Sequence, residues 1–298
     1  MSLSVIGLEK NFGTNKAVDN LNFEMLHSGV FGLLGTNGAG KTTSIRMIMG
    51  MMNKDGGRAA WNGEEISLAS VGLGYMPEER GIYPKITVIE QLVYFATLRG
   101  MKAKEADIAA QRWLERLGVA EYKNKQAEKL SKGNQQKIQL IAALINDPSL
   151  IFMDEPFSGL DPINAGIFKS VIDELIKKGK FIIMSSHQMS TVEEYCEELL
   201  ILDRGKTVLQ GNLNKIKKSY KKTNLSIKCE QDIALDLKKY GLTLKSKTGI
   251  VSNYSILDEK RAYDFIKECF NSNIFIESFD MREPSLNEIF IEKVNAAV

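Results

Sequence analysis

The sequence has little of what marks secreted, membrane-spanning or nucleic-acid-binding proteins. Among its 298 residues are three cysteines, far apart and outside any metal-type or redox-type spacing, so we expect buried thiols in a reducing cytoplasm. No apolar run approaches the ~18 residues that cross a bilayer, and residues 1–12 lack the pattern of a secretion signal. The net charge of +2 argues against nucleic acid as the main partner, because duplex-binding proteins carry a marked basic excess.

A glycine-rich loop between a strand and a helix is the strongest signal in the chain. Residues 35–43 match the phosphate-binding pattern of a glycine, four residues and then Gly-Lys-Ser/Thr. Glycines allow successive amide N–H groups to face phosphate oxygens, and the helix N-terminus adds partial positive charge. We expect Lys41 to reach the β- and γ-phosphates and the Thr42 hydroxyl to hold Mg²⁺. The predicted nucleotide contacts in this loop are Gly35, Asn37, Gly38, Ala39, Gly40, Lys41, Thr42 and Thr43.

Two adjacent carboxylates follow a second apolar strand. Residues 150–153 are all apolar, and Asp154 and Glu155 come directly after them. Ligands of open α/β sheets bind at this carboxyl end of the strands. Asp154 is suited to hold Mg²⁺ through water, and Glu155 is suited to accept a proton from an attacking water.

Other polar segments accompany these acids. A helix opens at Leu130–Asn134, where Ser131 would be its N-cap and the Gly133 backbone can approach a phosphate. A tight turn ends at Asp161, and His187 follows another apolar strand. Strand patterns at 149–153 and 180–185 enclose a helical pattern at 162–178, which predicts a βαβ crossover with parallel pairing.

A second series of strand and helix patterns begins after a lysine-rich stretch at 214–222. We interpret this stretch as a solvated linker, with attraction to anionic lipid as the alternative. The order beyond it is β-α-β-β-α-β, the ferredoxin-like arrangement. Its strands are predicted at 224–228, 242–247, 250–256 and 274–279, its helices at 233–240 and 260–270, and a final amphipathic helix at 285–294.

Taken in order, these elements resemble the ATP-binding subunit of ABC transporters. The resemblance implies an α/β fold of the P-loop NTPase (ABC) type over residues 1–213, with a mixed β layer and a helical subdomain at about 87–145. A small α+β ferredoxin-like domain at 223–298 follows the linker. It also implies the cofactors ATP and Mg²⁺, a second ATP-binding subunit that faces the first head to tail, and a separate transmembrane permease. This chain itself is expected at the cytoplasmic face of the cell membrane, as a peripheral subunit.

The resemblance also assigns roles to residues. Lys41, Glu155 and His187 match the Walker A lysine, the catalytic glutamate and the switch histidine, and Thr42, Glu78 and Asp154 match the metal-binding positions. Further nucleotide contacts are Phe12 against adenine, Ser131, Gly133 and Asn134 in the signature loop, and Asp161 in the D-loop.

Two motifs depart from the family pattern. The usual signature, Leu-Ser-Gly-Gly-Gln, here has Lys132 and Asn134, and the usual Q-loop glutamine is Glu78. A carboxylate can ligate Mg²⁺ more strongly than an amide, but it adds negative charge near the γ-phosphate. We therefore predict that Glu78 is a metal ligand.

The whole chain is similar to a narrower branch, the bacterial sodium-efflux-type ABC exporter ATPases, through residues 75–84 and 284–290. Apolar and aromatic groups at 81–84, with Val88, Tyr94 and Phe95, are a predicted docking groove for a permease helix; the alternative is interior packing. Two other functions stay open, namely a soluble ABC-type ATPase that acts on nucleic acid or ribosomes, and an importer ATPase with a ligand-sensing tail.

Overall fold

The computed structural model describes residues 1–67, 72–79 and 81–296, and the chain forms two compact units, Met1–Gln210 and Gly211–Val298. The second unit begins before the boundary expected from the sequence at 213. The stretch at 214–222 that we interpreted as a linker lies in this unit and is largely helical, over Leu213–Ser219. The helix forms because the side chain of Asn212 caps it, accepting a hydrogen bond from the Lys215 amide at 3.2 Å.

The first unit contains two sheets. An antiparallel sheet has the order β2-β1-β4-β5, and a six-stranded sheet has the order β10-β9-β3-β8-β7-β6, in which the strands from β9 to β6 are parallel. The strands are β1 (Leu3–Phe12), β2 (Asn15–Met25), β3 (Gly29–Gly35), β4 (Gly56–Trp61), β5 (Glu64–Glu65), β6 (Leu73–Met76), β7 (Leu150–Asp154), β8 (Phe181–Ser186), β9 (Glu198–Asp203) and β10 (Lys206–Asn212). The apolar pattern at 71–76 predicts a strand, and β6 matches it, except that Val71 lies outside the described residues.

The described helices of this unit are α1 (Lys41–Ile48), α2 (Val88–Leu98), α3 (Ala103–Arg116), α4 (Lys132–Leu144), α5 (Pro162–Lys177) and α6 (Met189–Tyr195). Helices α2 to α4 lie within the predicted helical block. Helix α2 begins with a capping box, in which Thr87 and Glu90 satisfy each other's amides. Helix α5 connects the neighbouring parallel strands β7 and β8, which gives the predicted crossover.

An apolar core lies between the two sheets. It includes Leu3 and Leu21 of the antiparallel sheet, Phe31 and Phe152 of the parallel sheet, and Ile45 of α1. The central parallel strands are buried on both faces, so they read as continuous apolar runs in the sequence. This arrangement fixes the ends of β3, β7 and β8 at one edge of the sheet.

The second unit has a four-stranded antiparallel sheet in the order β12-β13-β11-β14, which is the ferredoxin-like order. The strand patterns at 242–247 and 250–256 predict a hairpin over Thr248-Gly249, and the structure contains it. The elements are α7 (Leu213–Ser219), β11 (Asn224–Lys228), β12 (Leu242–Thr248), β13 (Val251–Ile256), α8 (Glu259–Asn271), β14 (Ser278–Arg282) and α9 (Leu286–Ala296).

Two elements of this unit differ from the prediction. The helix expected at 233–240 is a short 3₁₀ turn, Leu237–Tyr240, because the Asp236 side chain bonds the Lys238 amide and starts the turn there. The last strand begins at Ser278 rather than 274, because the Ile274 amide closes the end of α8 by donating to the Cys269 carbonyl. Over residues 1–67, 72–79 and 81–296, we find no helix with both the length and the apolar character that a membrane span requires.

Candidate nucleotide site

The predicted residues of the phosphate loop, the two acids and His187 meet because neighbouring parallel strands end together. In the register between β3 and β8, Leu34 is opposite Ser186, and between β7 and β8, Asp154 is opposite Ser185. The glycine-rich loop, the two acids and His187 therefore leave the sheet at the same edge. This is the carboxyl edge at which open α/β sheets bind ligands.

Two glycines of the loop are required by close backbone packing. A Cβ at Gly35 would lie 2.4 Å from the Leu202 carbonyl oxygen, and a Cβ at Gly40 would lie 2.5 Å from that of Ala17. Both residues also have positive φ, 151° and 106°. Gly38 has positive φ but faces open space. The loop thus curls tightly between β9 and β2, and α1 begins directly after it.

The side chain of Lys41 is buried at the centre of the site. Its ammonium donates hydrogen bonds to the carbonyl oxygens of Gly35, at 2.9 Å, and Thr36, at 3.2 Å. It also lies 3.3 Å from Oε1 of Glu155, with which it forms an ion pair. A positive charge is therefore held against the inner side of the loop, as phosphate binding requires.

Glu155 lies between this cation and an imidazole. Its Oε2 is 2.8 Å from Nδ1 of His187, and its amide donates to Oγ of Ser185 at 3.0 Å. The Glu155 side chain is 4% exposed, and its φ of 51° places a non-glycine residue in the left-handed region. Strained backbone of this kind clusters at functional sites and persists where the surrounding structure holds it.

Asp154 has one satisfied and one unsatisfied carboxylate oxygen. Oδ1 accepts a hydrogen bond from the Ser185 hydroxyl, whereas the buried Oδ2 has no hydrogen-bond partner among the described residues. A buried carboxylate oxygen without a partner is costly, and a hydrated cation would satisfy it. The sequence reasoning missed Ser185, which holds both acids. Its position at the end of a strand next to β7 was the available signal.

The signature residues form a second cluster. Oγ of Ser131 caps α4 by accepting from the Asn134 amide at 3.4 Å. A Cβ at Gly133 would lie 2.6 Å from Nδ2 of Asn164, which itself donates to Oδ2 of Asp161 at 2.6 Å. The main-chain N–H of Asn164 donates to Oδ1 of Asp161 and is the main cause that holds the pKa of the Asp161 carboxyl below its usual value. Within the described residues, no side-chain hydrogen bond joins this cluster to Lys41, Asp154, Glu155 or His187.

The remaining predicted residues lie around the edge. Phe12 is half-exposed at the end of β1, in the hairpin whose second strand contacts Gly40. Glu78 is exposed just beyond β6, which pairs with β7 so that Met76 is opposite Met153. Glu78 therefore leaves the sheet at the same edge as Asp154. Thr42 and Thr43 are half-buried in the first turn of α1, and Asn37 is exposed in the loop.

Comparison with known proteins shows the family. The family described as "ABC transporter" matches residues 18–158, and "ATP-binding protein DrrA1-3-like, C-terminal domain" matches residues 211–294. The chain is 44% identical to the ABC transporter ATP-binding protein YhaQ of Bacillus subtilis, over 99% of both chains. It is 34% identical to the Nod factor export ATP-binding protein I of Bradyrhizobium diazoefficiens, over 71% of this chain and 70% of that one.

A solved structure, the ATP-binding subunit of an ABC transporter, superposes with a TM-score of 0.67 at 28% identity and covers 74% of this chain and 93% of its own. The family match, the relatives and the site geometry agree. The chain therefore belongs to the ABC transporter ATP-binding protein family, and it is the ATP-hydrolysing subunit of a transporter.

Proposed function

We propose that this subunit hydrolyses Mg²⁺-bound ATP and powers export through a separate permease. The observation that carries the proposal is the contact of Glu155 with both Lys41 and His187, beside the unsatisfied Oδ2 of Asp154. Loop amides and Lys41 bind the phosphates. Glu155 accepts the proton of the attacking water, and His187 orients Glu155 and contacts the γ-phosphate.

Thr42, Asp154 and Glu78 would hold the Mg²⁺ ion, which would neutralise charge on the phosphates. The described residues contain no cluster of three or more His, Cys, Asp or Glu side chains that could hold a metal alone. Mg²⁺ in nucleotide sites keeps several waters and uses one or two carboxylates with the phosphates. The small carboxylate set, with the buried Oδ2 of Asp154, suits that coordination.

A second ATP-binding subunit completes the site in our proposal. The signature cluster of Ser131, Gly133, Asn134 and Asp161 shares no side-chain hydrogen bond with the phosphate loop, among the residues described, so it is available to the nucleotide of a second ATP-binding subunit, either another copy of this chain or a related chain. Head-to-tail pairing would place each ATP between the loop of one subunit and the cluster of the other. ATP then joins the two subunits, and its hydrolysis releases them.

The proposed permease contact is a cavity of about 610 Å³ at the helical block, lined by groups that include Tyr75, Gly81, Phe95 and Leu98. Tyr83 is half-exposed and stacks on Phe95, with ring centroids 5.8 Å apart. Of the predicted docking residues, Ile82 and Val88 are buried and belong to interior packing, while Tyr83 and Tyr94 are exposed. This contact would hold the subunit peripherally at the cytoplasmic face of the membrane.

Export as the direction of transport is supported by the similarity to the Bradyrhizobium relative, which is named a Nod factor export ATP-binding protein. Sodium as the transported ion stays a prediction from the sequence resemblance.

The proposal is tested first by nucleotide binding and hydrolysis. Purified protein should bind ATP and hydrolyse it only with Mg²⁺ present, and Lys41→Ala should lose at least tenfold in ATP affinity, because a charge-assisted contact of this kind is worth about 1.5–3 kcal/mol. Lys54→Ala, which removes a lysine from a surface ion pair with Glu65, is the control and should bind ATP normally. Mg²⁺-independent hydrolysis or unchanged affinity in Lys41→Ala would contradict the proposed site.

The docking contact has a separate test. A cysteine at Tyr83 should crosslink to a membrane protein in cells that contain the native permease, whereas one at Ile6, half-exposed on the antiparallel sheet, should not. The native cysteines are buried and should not interfere. Crosslinking from both sites, or from neither, would count against docking at Tyr83.

A further inference from the structure

One buried amide holds the main chain on both sides of Glu78. Gln139 lies on α4 and is 3% exposed. Its Nε2 donates to the Pro77 carbonyl oxygen at 2.6 Å and to the Glu79 carbonyl oxygen at 2.9 Å. The two hydrogens of a single NH₂ group thus bind the residues before and after Glu78.

Among the described residues, the backbone around Glu78 lacks the support of strand pairing. Strand β6 ends at Met76, and Pro77 has no N–H with which to continue pairing to β7. The Glu78 side chain is exposed. The hydrogen bonds from Gln139 limit the positions that the Glu78 backbone can take after it leaves the sheet.

The element that supplies the support also carries the signature loop. Helix α4 begins after the cap at Ser131, and Gln139 lies eight residues further along, which is about 12 Å at the rise of an α-helix. Both residues belong to one rigid segment. A displacement of the signature end of α4 would therefore pull the carbonyl groups on either side of Glu78.

We propose that Gln139 is a positioning residue for hydrolysis, which holds Glu78 at the carboxyl edge next to Asp154. This inference rests on the proposed role of Glu78 as a Mg²⁺ contact. Gln139 contacts the loop and acts through Glu78. Gln139 thus connects the proposed Mg²⁺ contact of one subunit to helix α4, whose signature end would bind the nucleotide of the other subunit.

The test removes the two donors and keeps the side-chain volume, in Gln139→Met. Because two hydrogen bonds are lost, the Mg²⁺ concentration for half-maximal ATP hydrolysis should rise about tenfold. ATP affinity measured without Mg²⁺ should stay within about twofold, since the phosphate loop and Lys41 are untouched. A general loss of folding would weaken ATP binding without Mg²⁺ and would lower hydrolysis at every Mg²⁺ concentration. A change in the Mg²⁺ dependence alone therefore indicates positioning rather than stability.

Asn146→Leu is the matched control. Asn146 follows α4, is partly buried and donates from its amide to a main-chain carbonyl, that of Ala96 at 3.1 Å. Its partner lies in α2, which contains none of the proposed phosphate or Mg²⁺ contacts. This variant should lose stability with no change in the Mg²⁺ dependence of hydrolysis.

A double-mutant cycle with Glu78→Gln separates the two proposals. If Gln139 acts through Glu78, Gln139→Met should change the Mg²⁺ dependence less than twofold in the Glu78→Gln background. Additive effects, or an effect of Glu78→Gln with none of Gln139→Met, would overturn the role of Gln139 alone. If neither single variant alters the Mg²⁺ dependence, the metal role of Glu78 fails, and this inference fails with it.

Discussion

The two units of the chain bury polar side chains in different ways. The first unit buries Lys41, Asp154 and Glu155 at one edge of a parallel sheet. In the second unit, which we call the tail, the buried polar side chains among the described residues are Asn224 and Ser252. Parallel strands end together, so the polar residues that follow them converge. Neighbouring antiparallel strands run in opposite directions, so their ends divide between both edges. The first unit is built for chemistry, and the tail is built around an apolar core.

The largest expected effect is on the convergent acids. Glu155→Gln should slow ATP hydrolysis by about 10²- to 10⁴-fold, because the amide cannot accept a proton from the attacking water. Nucleotide binding should persist, and the ATP-bound dimer should accumulate. Single-turnover hydrolysis and size-exclusion chromatography with ATP measure these two outcomes.

Glu194→Gln is the matched control for this variant. Glu194 is also a carboxylate paired with a lysine, Lys169 at 2.6 Å, but both side chains are well exposed. Exposed ion pairs contribute little, so hydrolysis should be unchanged. Normal turnover in Glu155→Gln would assign the base to another group and would remove the contrast between the units.

The second effect tests whether the tail is an independent apolar core. Phe265 is fully buried on α8, with its ring 5.6 Å from Tyr240 and 5.8 Å from Tyr254. Phe265→Ala should lower the stability of the tail by about 3–5 kcal/mol. Calorimetry of the full chain should show one transition moved to lower temperature, while ATP affinity is retained.

Phe275→Ala provides the comparison for that experiment. Phe275 is 72% exposed, so its removal should change the transition little. A loss of ATP affinity in Phe265→Ala equal to the loss of tail stability would show that the two units unfold together. The comparison between a chemical unit and a packing unit would then be wrong.

Sequence reasoning was strongest where one short segment carries the signal. The glycine-rich loop and the strand that precedes the acids are local patterns, and both lie where they were predicted. The contacts of Ser185 with Asp154 and Glu155 depend on the register between two strands that are distant in sequence. Register is set by packing of the whole sheet, which no short pattern encodes.

In the tail, a local apolar pattern led to a wrong start for the last strand, which was predicted at 274. Ile274 and Ile276 suggested a strand, yet Ile276 packs in the tail core before strand pairing starts at Ser278. Apolar residues next to a helix end serve core packing as well as strands do. Main-chain hydrogen bonds distinguish a strand from a packed loop here. The Glu277 amide donates to the Lys228 carbonyl at 2.9 Å, directly before β14 begins at Ser278.

The smallest expected effect concerns a charged cluster in the tail, around Glu288 at the start of α9. Burial alone would raise the pKa of this carboxyl, but Lys245, Ser285 and Asn224 together lower it to about 2. Its oxygens lie 2.7 Å from the Lys245 ammonium, 2.9 Å from the Ser285 amide and 2.9 Å from Nδ2 of Asn224. With Ser285 as N-cap, Glu288 completes a capping box.

A carboxyl whose folded pKa is depressed adds stability above its unfolded pKa, and this stability is lost as the pH falls through the folded value. Glu288→Gln should therefore lower Tm by about 2–4 °C at neutral pH, a modest shift because the side chain is 35% exposed and solvent screens it. The Tm difference from the native chain should shrink as the pH falls below 4.5 and vanish only below about pH 2, where the Glu288 carboxyl of the native chain is protonated as well. A difference that stays constant over this pH range would mean that side-chain shape, rather than charge, holds the start of α9. The tail would then lack even this electrostatic contribution, which would sharpen its contrast with the nucleotide site.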